Sequence, residues 1–85
     1  MTQAEPLARA LDLLDRGDWQ GAHVIVQNES SVLAAWLHGI VHTLEGDLDN
    51  ARYWYRKAHR EFPGAGAVTG EITAARAAVA SSPSA

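Results

Sequence analysis

The sequence predicts an all-α domain, two stacked helical hairpins followed by a C-terminal helix. Three observations carry this reading. Apolar residues recur at three- and four-residue spacing along most of the chain. Gly-Asp steps at Gly17-Asp18 and Gly46-Asp47 interrupt that periodicity as helix ends do. The one β-branched run, Val24-Ile25-Val26, has no second strand-like segment to pair with.

In the first helix Pro6 suits the first helical position, and Leu7, Ala10, Leu11 and Leu14 form one apolar face. Gly17 ends it in a left-handed cap and Asp18 caps the second helix, whose apolar positions are Trp19, Ala22, Val24, Ile25 and Val26. Ser30 or Ser31 caps a third helix from about Val32 to Glu45, with Val32, Ala35, Trp36, Gly39, Ile40 and Leu44 among its apolar or small positions. Gly46 ends that helix. Asp47 and Asp49 open a fourth, where acids favour the positive end of the helix dipole. It carries Leu48, Ala51, Trp54, Tyr55 and Ala58, and Pro63-Gly64 closes it. A last helix spans about Val68 to Ala80, weakened by Gly70 by about 1 kcal/mol. Residues 1–80 form one domain and 81–85 a disordered tail.

Composition narrows the function. Apolar residues make up 47% and charged residues 20%, the balance of a soluble globular domain. Much of the apolar share is alanine, so the core is thin and self-association is expected to help. With no cysteine, disulfides, thiolate metal sites and cysteine nucleophiles are excluded. No apolar run reaches the roughly 18 residues of a membrane span. The acidic N-terminal segment does not read as a signal peptide, so a cytoplasmic location is expected. The net charge of −3 argues against a nucleic-acid-coating protein. Arg52, Arg56, Lys57 and Arg60 nonetheless place four positive charges in one short segment, leaving −7 on the remainder.

The two halves repeat. RGDWQGAH (16–23) and EGDLDNAR (45–52) share Gly, Asp, an apolar residue and Ala at equal offsets, a period of 29 residues from Gly17 to Gly46. The stretch VLAAWLHGIVHTLEGDLDNARYWYRKAHREFP resembles a tetratricopeptide repeat, with Gly39, Gly46, Asp47, Ala51, Tyr55, Ala58 and Pro63 at preferred positions. Residues 4–29 resemble a shortened copy that keeps Ala10, Gly17, Asp18 and Ala22. The resemblance implies that the last helix caps the array. EGDLDNARYWYRKA is also similar to a segment of short uncharacterised bacterial proteins, which implies no activity.

Two residue sets could bind something. The resemblance places Trp36, with Leu33 and Ile40, on a concave groove where such repeats usually take peptides. The stripe Arg52, Arg56 and Arg60 would steer an acidic protein partner or a second copy of this chain. The same arginines could instead form a solvated face paired with Glu45, Asp49 or Glu61, and Trp36 could be core. In the second set, His38, His42 and Glu45 fall within about 60° of arc on one helix. Two histidines at i and i+4 can share a metal, and a carboxylate one turn on can complete or orient the site. Stacked hairpins, as the resemblance implies, would bring His23 to this stripe, a set sufficient for zinc, nickel or similar ions. Imidazoles at these positions are otherwise read as hydrogen-bonded core residues, the bland alternative to a metal site.

Catalytic motifs are missing. No nucleophile elbow surrounds Ser30 or Ser31, and GAGAVTG lacks the strand and the Lys-Ser or Lys-Thr of a phosphate loop. The expectation is therefore a non-enzymatic interaction module for a protein partner or itself, without a cofactor. A histidine metal site is the alternative.

Overall fold

The computed structural model describes residues 4–81. Among the described residues there are five helices, α1 Ala4–Asp15, α2 Trp19–Val26, α3 Val32–Glu45, α4 Leu48–Lys57 and α5 Val68–Ser81, with a 3₁₀ turn at Ala65–Ala67 leading into α5. The all-α expectation holds, and there is no strand among the described residues. None of these helices is long and apolar enough to cross a membrane. Ser81, expected to open the tail, is the last residue of α5, and 82–85 lie outside the described residues.

The helix boundaries have local causes. Asp18, Ser31 and Asp47 each place a side-chain oxygen on a free N–H of the next turn: Gly21 at 2.9 Å, Ala34 at 3.0 Å and Asn50 at 3.3 Å. Pro6 is the third residue of α1 rather than the first, still within the turn whose N–H groups need no helical partner. Helix α3 ends at Gly46, whose φ of 92° lets Asp47 N–H donate to His42 C=O at 3.0 Å and Gly46 N–H to Thr43 C=O at 3.1 Å. Helix α4 ends the same way, but earlier than Pro63-Gly64. His59 adopts a φ of 61°, and Arg60 N–H donates to Tyr55 C=O at 3.0 Å. A histidine does here what glycine does at 46, in a backbone region that costs a non-glycine residue about 1 kcal/mol or more.

Helix α3 is the centre of the molecule. It packs against all four other helices, and every residue from Ala34 to Thr43 is buried. A helix covered on all sides needs apolar or small residues all round, and three polar ones stand among them, His38, His42 and Thr43. Thr43 Oγ donates to Gly39 C=O at 2.8 Å. Helices α1 and α2 pack as neighbours, α2 lies on α3, and α3 on α4. In α2 only Ala22 and Val26 are buried. Val24, expected in the core, turns outward at 57% exposure because it lies two residues from each of them on the helix. Val32 is likewise exposed, one residue past the Ser31 cap and ahead of the buried run.

Two contacts fix the packing of α3, α4 and α5. At Gly39 the helices come so close that a Cβ would lie 2.5 Å from Tyr55 Cδ1. Helix α5 packs Ile72, Ala75 and Val79 across α1 and α3, and its Glu71 Oε1 accepts from Trp36 Nε1 at 3.0 Å and from Tyr55 OH at 2.8 Å. Burial and the Glu71 carboxylate together raise the Tyr55 pKa well above its ordinary value, so the hydroxyl stays a donor. Arg76 adds exposed bridges to Asp12 at 3.1 Å and Asp15 at 2.6 Å on α1, a small contribution each. No buried side-chain polar atom among the described residues lacks a partner.

Two glycine substitutions separate packing from propensity. Gly39→Ala gains helix propensity but must displace a Tyr55 ring that Glu71 holds, so we expect a net loss of about 1–2 kcal/mol in urea unfolding. Gly70→Ala, where nothing lies within 4 Å of the new methyl, should stabilise by about 0.5–1 kcal/mol.

Candidate metal centre

The three histidines expected near one another do converge. His38 and His42 project from successive turns of α3, and His23 comes from α2, which packs alongside. One ring nitrogen from each lies within 4.8 Å of the other two. Ring centroids are 4.8 Å apart for His23 and His38, 5.4 Å for His23 and His42, and 5.0 Å for His38 and His42. His38 and His42 are 6% and 8% exposed, while His23 is half-buried. Tetrahedral Zn–N bonds place ligand nitrogens roughly 3.3 Å apart, closer than the 4.8 Å that bounds this cluster.

The surroundings orient the rings. His42 Nδ1 lies 2.7 Å from Glu45 Oε1, the shortest side-chain hydrogen bond that α3 makes. A carboxylate oxygen accepts, so Nδ1–H donates and the Nε2 lone pair is left for a ligand. His38 stacks on the indole of Trp54 from α4, with centroids 3.8 Å apart and planes 6° from parallel. Burial first, then the neighbouring His42 and His23, push the His38 pKa down to about 4. His38 is therefore a neutral imidazole at neutral pH, the form that binds metal. A second group, His42, Glu45 and Asp47, also comes together within 4.8 Å, but Glu45 is committed to His42 and both Asp47 oxygens face Asn50. The three imidazoles are the better donor set. Nitrogen donors of this kind suit zinc, nickel, copper or cobalt, not magnesium or calcium.

The expected partner groove is not open. Trp36 is 3% exposed and Ile40 fully buried, with Leu33 half-buried beside them. Helix α5 lies over this face, Glu71 takes the indole N–H, and the Arg60 guanidinium covers the ring at 3.5 Å from its centroid. This corrects the placement of Trp36 and Ile40 at a partner surface: the chain's own last helix buries them. Arg52 and Arg56 share one face of α4, and Arg60, past the His59 turn, still lies beside them; Arg52 is bonded to Asp49 at 3.3 Å.

Two residues of the site's surroundings were not singled out from the sequence. Trp54 read as an apolar position of α4 among the basic stripe's aromatics, not as a neighbour of His38, and its stacking there follows from the closeness of α3 and α4. Glu71 gave no signal at all, because its partner Trp36 lies 35 residues away. No protein-family model matches the chain, and no curated protein or solved structure matches it either.

The His38 environment predicts a pH dependence. A histidine whose pKa is lower folded than unfolded makes the unfolded chain bind the extra proton between those values. Stability of the metal-free protein should therefore fall as pH drops from about 6.5 toward about 4, and level off below. Urea midpoints measured across that range check this, and in His38→Gln the slope should flatten.

Proposed function

We propose that this protein is a small helical metal-binding domain that takes one divalent transition ion, zinc, nickel or similar, on His23, His38 and His42. The observation that carries the reading is the convergence of three imidazole nitrogens from two helices. Glu45 accepts from His42 Nδ1–H, the carboxylate contact that metal-bound histidines commonly have. Trp54 holds the plane of His38. Burial of His38 and His42 on the best-packed helix keeps solvent from competing and limits the rearrangement that binding requires. Three protein ligands leave a tetrahedral ion one position for an exogenous group.

The interaction-module reading retains the exposed arginine face as its support, with an acidic protein or a second copy as partner. It lacks the aromatic anchor that would dominate such an interface, since Trp36 is buried.

Cobalt and zinc titrations test the metal reading. Cobalt bound by three imidazoles should give visible absorption at one equivalent, which His23→Ala, a change at a half-buried position, abolishes without unfolding the apo protein. Zinc at a hundredfold excess over its Kd should stabilise by about 2.7 kcal/mol, moving the melt by roughly 10 °C or more. Glu45→Ala should weaken affinity about 10–100-fold. Absent cobalt absorption together with an unmoved melt would leave the cluster as core packing.

A further inference from the structure

A cavity of about 740 Å³ opens between the loop joining α2 to α3, the start of α3 and the second half of α4, next to the histidine cluster. Its size is that of a small-molecule site. We propose that it binds a small aromatic carboxylate, with the ring against Tyr53 and Trp54 and the anion on Arg56 and Lys57.

The charges point to an anion. Arg56 and Lys57 line the cavity, and neither has an ion pair among the described residues, whereas Arg52 and Arg76 each engage aspartates. Glu29 is the one acidic side chain in the lining. Two unpaired cations over low-dielectric walls concentrate positive potential inside a cleft. Lys57 Nζ already sits 5.7 Å from the centre of the Tyr53 ring, which holds the ammonium beside the aromatic wall.

The walls point to a flat apolar body. Tyr53 is 44% exposed and stands perpendicular to Trp54 with centroids 5.2 Å apart, which makes an aromatic corner. Ala34 and Ala35 leave space opposite it. Such a corner suits one edge-to-face or offset-stacked ring, and a carboxylate on that ring reaches charge-assisted hydrogen bonds from the cations. His59 also lines the cavity, and it is the residue held in the left-handed backbone region.

The cavity and the histidine cluster meet at His38, which belongs to both. The anion site does not depend on a metal, so it is tested on the full chain in chelator and repeated with one equivalent of zinc. The probes are benzoate, its uncharged isostere benzamide, and inorganic phosphate, followed by amide chemical shifts. Benzoate should shift amides within 29–35 and 53–59, with benzamide and phosphate each on the order of tenfold weaker. Arg56→Gln with Lys57→Gln, both at exposed positions, should cost benzoate a similar factor while the melt stays unchanged. Equal binding of benzamide would overturn the cationic half of the proposal, and equal binding of phosphate the aromatic half. Absence of shifts at about 10 mM benzoate, an order of magnitude above a millimolar Kd, would overturn it altogether. The named outcomes are those read in chelator, without cobalt or zinc, so failure here leaves the metal reading where its own titration puts it.

Discussion

Tyr55 is the residue on which the arrangement turns. Its ring occupies the space that Gly39 leaves, its hydroxyl donates to Glu71 at 2.8 Å, and Phe62 meets it edge-on at 5.4 Å. One side chain thereby sets how close α4 comes to α3 and ties both to α5. The hydrogen bond matters because the hydroxyl is buried, and a buried donor without an acceptor costs about 1–3 kcal/mol. Glu71 meets that need and the need of Trp36 with the same oxygen.

The closeness of α3 and α4 has consequences for chemistry. With Tyr55 against Gly39, the neighbouring Trp54 falls against the neighbouring His38, and the imidazole is stacked and desolvated. With α2 on another side of α3, His23 reaches the same pair. Three imidazoles are thus placed together where charging His38 is costly. The cluster is tolerated in a thin, alanine-rich core because Trp54 and Glu45 give its members partners.

Much of the framework was legible along the chain. The stripe Leu7, Ala10, Leu11 and Leu14 is buried as its spacing demands, and Gly17, Asp18, Ser31, Gly46 and Asp47 end or cap helices by interactions spanning a few residues. The His38, His42 and Glu45 stripe was legible for the same reason, since one helix fixes all three. Other readings went astray where a local rule lacked a competitor visible in the sequence. Pro63-Gly64 looks like the end of α4, yet His59 ends it first because the backbone there is held in a left-handed turn by Tyr55 and Arg60. The resemblance places Trp36 on a groove with core as its alternative, and it is core because α5 lies over it and Glu71 takes its indole N–H.

Helix number, caps, the buried face of α1 and the i, i+4 histidine pair belong to the sequence by itself, because periodicity and side-chain-to-backbone hydrogen bonds act over one or two turns. The third imidazole, the Trp54 stack, the clamp of Glu71 on Trp36 and Tyr55, and the closing of the groove by α5 were decided only by tertiary structure. Each joins residues on different helices, and their meeting depends on how close two helices approach, which a glycine opposite a tyrosine sets in space and no spacing along the chain records.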